Sequence, residues 1–338
     1  MSRRLPPWTV ALLLGAAAIA RAEVYELPPP GNDVVGAVTT IEARQEDTLI
    51  DIGRRHGLGY EEIVRANPDV DVWLPGEGTR IVLPTRFVLP PGPRHGLVLN
   101  LPEYRLYYFP EPEPGKPALV MTYPISIGRM DWATPLGKTR VVSKVVKPSW
   151  YPPESVRKEH AADGRPLPRV VPPGPDNPLG AFAMRLGLPG YLIHGTNRPA
   201  GVGMRVSHGC IRMFPEDIEF LFGQVSVETP VRIINEPVKL GWERDRLLME
   251  AHRTLDVTPV AAGEEAAVAI DAAADPSRIE PSLPSRLTVL TEAFVAATST
   301  RPGELDWEFA ERLLARADGI PVPVGSAIKN AATSAASE

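Results

Sequence analysis

The stretch HGTNRPAGVGMRVSHGCIRM, residues 194–213, holds the only cysteine of the 338-residue chain, Cys210, and two of its six histidines, His194 and His208. A thiol near its free pKa of about 8.5 is mostly protonated at neutral pH, and only the thiolate is a strong nucleophile. An imidazole within reach can take that proton and later return it to a leaving amine. His194 closes the apolar run GYLIHG (190–195), which reads as a short strand. Cys210 shortly precedes FPEDIEFLFG (214–223), which reads as a helix: Pro215 in its first turn, Glu216 and Asp217 at its positive end, Gly223 as its stop. Gly209 lets the backbone approach closely, so the amides of Gly209 and Cys210 are candidates for an oxyanion hole. Arg212 adds positive potential that favours a thiolate and suits a substrate carboxylate. No Asp or Asn in the stretch is placed to orient His194, which leaves a backbone carbonyl near Gly195.

Outward from this segment the pattern is β. GLVLNL (96–101) and YRLYYF (104–109) read as a hairpin, and ALVMTYPISIG (118–128), TRVVSKVV (139–146) and VRIIN (231–235) supply further strands. Residues 148–178 are Pro-rich, with little periodicity, and are longer than an ordinary connection; such insertions are functional lids or disordered. Trp150 and Tyr151 within them read as loop packing.

Two flanking regions differ. Residues 23–37 are rich in Pro and Gly and read as a linker. Residues 38–84 read as strand, helix, helix, strand: VTTIEA (38–43), EDTLIDIGRRHG (46–57) with Asp47 as cap and Gly57 as stop, YEEIVRAN (60–67), and TRIVLP (79–84). Through EDTL, IVRANPDV and LPGEGTRIVLP this unit resembles a LysM domain, a resemblance that implies binding to the glycan of peptidoglycan or chitin. Many members carry Gly-Asp before the first helix, where this chain has Glu46-Asp47. Residues 237–338 read as a helical C-terminal region through WERDRLLMEAHRTLD, SRLTVLTEAFVAAT and LDWEFAERLLARADG, with a disordered end, NAATSAASE.

The segment 194–213 is itself similar to the active-site segment of the L,D-transpeptidases with a YkuD-type catalytic domain. Their pattern is a His, a spacer, Ser/Thr-His-Gly-Cys, an apolar residue, then Arg or Asn. The similarity extends upstream through ISIGRMDWATPLGKTRVVSKVVKPSWYPP and PPGPDNPLGAFAMRL, covering about residues 95–236. It implies a mostly β catalytic domain, a YkuD-like β-sandwich, with Cys210 as nucleophile, His194 as acid/base and Gly195 supplying the orienting carbonyl. His208, Gly209 and Arg212 match positions that shape the oxyanion and substrate site, and Ser207 matches a structural one. It also implies acylation by a tetrapeptide stem with release of D-alanine, no metal and no cofactor, and sensitivity to carbapenems. The acceptor would be a second stem amine or an outer-membrane lipoprotein lysine. Water as acceptor would make the protein an L,D-carboxypeptidase or wall-peptide hydrolase.

The opening residues set the compartment. Arg3 and Arg4, the apolar run from Trp8 to Ala20, and Ala20-Arg21-Ala22 read as a secretory signal over 1–22, which implies a periplasmic protein. Thirteen apolar residues fall short of the roughly 20 a membrane span needs, so no span is expected after cleavage. The net charge of −5 argues against nucleic acid as a partner. Two rival readings remain: zinc held by His194, His208 and Cys210, and a wall-binding protein whose Cys domain is inactive.

Overall fold

A computed structural model describes residues 23–129, 133–255 and 286–328. The segment expected to be a secretory signal, the Ala-rich connection before residue 286 and the C-terminal end expected to be disordered lie outside the described residues. The protein is mostly β, and its centre is one curled nine-stranded sheet. The hairpin expected around LPEY is present: β6 (Gly96–Asn100) and β7 (Arg105–Phe109) are antiparallel, with Tyr104 turning the chain at a φ of 57°. β8 (Leu119–Pro124) lies beyond β7, and β15 (Pro230–Ile234) runs parallel to β6 on its other side.

β10 (Gly137–Val146) folds the sheet over. Its first residues, Gly137–Arg140, pair with β15, while Val141–Val146 pair with β11 (Phe182–Leu186) across a bulge. β12 (Leu192–His194) and β14 (Ile211–Arg212) complete the second layer, joined in parallel register. Alternate residues of the two layers then face each other. Leu97, Leu99, Leu106, Tyr123, Val231 and Ile233 meet Met184, Leu186, Ile193 and Ile211 in a closed core, the interior of a sandwich. Helix α4 (Pro215–Gln224) seals it with Ile218 and Leu221; it runs one residue past Gly223, the expected stop.

The small unit before residue 85 has the expected order: β3 (Thr39–Glu42), α1 (Leu49–Arg55), α2 (Tyr60–Ala66) and β4 (Arg80–Leu83), the strands antiparallel. The α1 cap is Thr48, whose hydroxyl accepts from the Asp51 amide at 3.0 Å. Asp47, the residue expected there, instead turns back to accept from the Arg44 amide and pairs with Arg55 at 2.7 Å. The unit is docked on the sheet. Buried Arg105 meets Glu62 at 2.6 Å, Arg54 forks onto Glu216 at 2.7 and 2.9 Å, and the amides of Tyr60 and Glu61 bond to the carbonyls of Val202 and Gly203. Gly203, at a φ of 86°, must be glycine: a Cβ there would stand 2.4 Å from the Tyr60 nitrogen.

Three expectations need correction. Residues 23–37 are not only a linker: β1 (Glu23–Glu26) is the outer strand of the central sheet, paired with β8, and β2 (Val34–Gly36) pairs with β5 (Arg86–Val88). The short alternation in EVYE, which carries Tyr25 onto the core around Phe87, outweighs the prolines that follow. Residues 148–178 contain a helix, α3 (Glu154–Ala162).

The C-terminal region is not simply helical. Residues around WERDRLLMEA form a hairpin of β16 (Val238–Glu243) and β17 (Arg246–Ala251), turned at Arg244 with a φ of 53°. A short apolar run such as Leu247-Leu248-Met249, buried on both faces, carries no period that separates strand from helix. With β18 (Gly303–Leu305) and β19 (Val322–Ala327) it makes a four-stranded sheet. The two expected helices, α5 (Arg286–Thr298) and α6 (Trp307–Arg316), pack on it. Lys239 ties this unit to the central sheet, its ammonium 2.8 Å from Glu103 and 3.0 Å from Glu250.

Candidate active site

The pairing of β12 with β14 sets the site. Ile193 lies opposite Ile211, and His194 opposite Arg212. Both isoleucines point into the core and are fully buried, so the strand alternation turns His194 and Arg212 to the other face. Cys210 precedes Ile211 and falls on that same outer face. His194 is nonetheless buried, with the Leu179 backbone against its ring.

His194 Nδ1 lies 2.6 Å from the Gly195 carbonyl oxygen. A carbonyl only accepts, so in this contact Nδ1 carries the hydrogen, and the Leu179 backbone is a second partner of the ring. Burial, with the positive charge of Arg212, pushes the imidazolium pKa down to about 3. Burial pushes the Cys210 thiol up from its ordinary range, against the pull of the Leu192 amide and Arg212. The two shifts move apart, so the resting pair is neutral thiol and neutral imidazole. Sγ lies 3.5 Å from the Gly190 carbonyl oxygen, and among the described residues no hydrogen bond joins it to His194.

The turn that carries the thiol is held by its carbonyls. The Ser207 hydroxyl donates to the Cys210 carbonyl, and Ser207 is buried. The Thr134 hydroxyl donates to the Gly209 carbonyl at 2.9 Å and accepts from the Gly128 amide at 3.0 Å. Gly209 has a φ of 94°, a conformation that favours glycine. Gly209 C=O and Cys210 N–H belong to one trans peptide and point in opposite directions. Anchoring the carbonyl on Thr134 therefore aims the Cys210 amide the other way.

Arg212 Nε is buried and has no partner. Burial lowers its pKa, and Arg198 and Arg129 add repulsion. His208 is half-buried, with Nε2 3.0 Å from Glu159 Oε2 and 3.3 Å from Arg129 Nη2. Only one of those contacts can be a good hydrogen bond to that nitrogen. The shorter one, Nε2–H donating to the carboxylate, fits the 2.7 Å pair between Arg129 and Glu159 Oε1.

The structure thus gathers Cys210, His194, Gly195, Ser207, His208, Gly209 and Arg212 around one turn. Among the described residues His194, His208 and Cys210 do not come together as a metal-ligating set. Among the described residues the one cluster of metal-ligating groups is Glu103, Glu250 and His252, where the Lys239 ammonium already bridges both carboxylates.

Sequence reasoning missed Arg129, Thr134, Glu159 and Asn177. Buried Asn177 ties the insert's ends together, donating to the carbonyls of Pro148, Val171 and Pro172 and accepting from the Leu179 amide. Thr134 and Asn177 sit in ATPLG and PDNPLG, whose turn residues were the available signal. Nothing local marks Arg129 or Glu159.

The L,D-transpeptidase catalytic domain family matches residues 94–233. The probable L,D-transpeptidase YcfS of Escherichia coli K12 is 41% identical over 261 residues, covering 75% of this chain and 80% of its own. The probable L,D-transpeptidase ErfK/SrfK of the same strain is 36% identical over 318 residues, covering 93% and 94%. Among solved structures, L,D-transpeptidase 3 of Mycobacterium tuberculosis aligns over 46% of this chain and 67% of its own, at 22% identity and a TM-score of 0.30. The chain belongs to the L,D-transpeptidase family.

Proposed function

We propose that this L,D-transpeptidase acylates Cys210 with a peptidoglycan tetrapeptide stem and passes the acyl group to an amine. The observation that carries the reading is His194. It is neutral, its Nδ1–H is held by Gly195, and the strand register puts the ring on the sheet face that bears the thiol. In this reading the thiol leaves the Gly190 carbonyl and turns to His194 Nε2.

The thiol proton passes to His194 Nε2 as Sγ bonds to the carbonyl carbon of the stem's third residue. The oxyanion forms toward the Cys210 amide and the Arg212 guanidinium. The C–N bond then breaks, and the leaving D-alanine amine takes the proton from His194. In the second half an acceptor amine attacks the thioester, gives a proton to His194, and the C–S bond breaks with return of the thiol proton. Gly195 holds the ring in one tautomer throughout, Ser207 and Thr134 hold the turn, and His208 stands at its rim. No step calls for a metal or cofactor.

The acceptor amine belongs to a second stem, which gives a 3→3 cross-link, or to an outer-membrane lipoprotein lysine. Residues 38–84 act as a LysM-like module that keeps the enzyme on the glycan, and residues 1–22 direct it to the periplasm. No helix among the described residues is long and apolar enough to cross a membrane.

Mass spectrometry of residues 23–338 with a disaccharide-tetrapeptide tests this. The expected result is a Cys210 thioester with release of D-alanine, followed by a 3→3 dimer, and no adduct in Cys210→Ala. Tripeptide alone would mean either that water is the acceptor or that the proper acceptor is missing, and adding a lipoprotein lysine peptide separates the two. Turnover that persists in Cys210→Ala would overturn the mechanism.

A further inference from the structure

Arg129 is fixed beside the thiol turn. It follows β9 (Ile127–Gly128), which pairs in parallel with β13 (Arg205–Ser207), and its own amide donates to the Ser207 carbonyl at 2.9 Å. Its Nε is buried without a partner. Arg129, Arg198 and Arg212 lie close enough for mutual repulsion to be felt at Arg212. Against these three cations the described residues offer one paired carboxylate, Glu159, which takes Arg129 at 2.7 Å and His208 at 3.0 Å.

Glu159 itself is held lightly. It sits on α3, whose N-terminus at Pro153 has no side-chain cap and whose one buried residue is Val156. The ion pair is about one-third exposed on each side, and such pairs contribute little to stability. A rigid cation on the sheet faces a carboxylate on a loosely seated helix. A peptide carboxylate offers the same two oxygens to the same two donors, and both carboxylates cannot occupy them together.

We infer that Arg129 and His208 form a carboxylate-binding subsite, filled in the resting protein by Glu159 and taken over by a carboxylate of the incoming peptide. The inference rests on the peptide-acylation reading above for the kind of ligand. On binding, the salt link from α3 breaks and one to the peptide forms, so Glu159 sets the selectivity for acidic over amidated peptides by competing for the same donors.

The test is a binding measurement on full-length Cys210→Ala, which retains the subsite and cannot turn over. Titration calorimetry would compare a tetrapeptide stem with free side-chain carboxylates against the same stem amidated. Adding Glu159→Gln should tighten the acidic stem by three- to tenfold and leave the amidated stem unchanged. Adding Arg129→Ala should weaken the acidic stem by at least tenfold and erase the difference between the two. An acidic-stem affinity that stays the same or falls with Glu159→Gln, or that changes equally for both stems, overturns the proposal. Failure of the wild-type chain to form a Cys210 adduct would count against the acylation mechanism alone, because binding is read without chemistry.

Discussion

His194 lies on a strand, closed over by the Leu179 backbone and held by a main-chain carbonyl 2.6 Å away. His208 lies on the thiol turn, half open, and its partner is a carboxylate from the inserted helix α3. Both rings stand near one cysteine, yet the first belongs to the sheet and the second to a cover. The first has a fixed tautomer and a pKa driven low by burial; the second has a partner that can leave. A backbone carbonyl cannot be exchanged or titrated, which suits the group proposed to move a proton in each half-reaction. A carboxylate can be displaced, which suits the edge where the proposed peptide carboxylate binds.

The largest expected effect follows directly. His194→Gln should slow Cys210 acylation by about 10²–10⁴-fold, the usual worth of a positioned general base. His208→Gln should cost about tenfold or less, since it touches the cover. Stopped-flow or quenched mass spectrometry reads both, and the reverse order would move the base to His208.

The pH dependence of thiol alkylation sharpens the same contrast. With His194 pushed down to about 3 and the thiol pushed up, the free enzyme holds no thiolate–imidazolium pair. The rate with iodoacetamide should rise only above about pH 8.5, the free-thiol range, with no plateau between pH 5 and 8. A plateau there would show that the ion pair is the resting state.

The sheet side of the site has its own cost. Asp217 on α4 is 4% exposed, one carboxylate oxygen has no partner, and burial pushes its pKa up to about 8. The folded chain then holds a proton that the unfolded chain releases above about pH 4, so this group lowers stability as pH climbs from 4 to 8. Asp217→Asn should raise stability at pH 8 by on the order of a few kcal/mol and change little at pH 4, where both states are protonated. Denaturant melts at the two pH values check the sign.

How much of this was legible depends on whether the signal was local. His194, Cys210 and the glycine between them and the helix read directly, because strand end, turn and helix start are each written in a few neighbouring residues. The helix pair of residues 38–84 read well for the same reason, apart from a one-residue shift of its cap. The hairpin at Glu243-Arg244-Asp245-Arg246 did not, because β17 is a central strand and its buried run has no period of two. Buried Lys239 and Glu250 carry no local sign of burial, because their partners, Glu103 and the Val88 backbone, lie far away along the chain. Glu159 was invisible for the same reason: its role exists only where the insert folds back on Arg129.

The smallest expected effect concerns that insert. Val156 is the one buried residue of α3, so Val156→Ala removes most of what seats the helix by apolar contact. If α3 opened only with the whole domain, the loss would appear as global destabilisation of about 1–2 kcal/mol, two buried methyl groups at about 0.8 each plus any residual cavity. If it opens alone, the substitution acts on a local equilibrium and leaves the sheet's free energy nearly untouched. The second outcome is expected, because α3 buries one residue, Val156, and its Glu159 pairs with Arg129 and His208 are partly exposed. Hydrogen exchange should then show faster exchange confined to residues 154–162, with the β12 and β14 amides unchanged and the thermal midpoint moved by little. Faster exchange spread over β12 and β14 as well would make cover and frame a single unit, and the distinction between the two histidines would lose its structural basis.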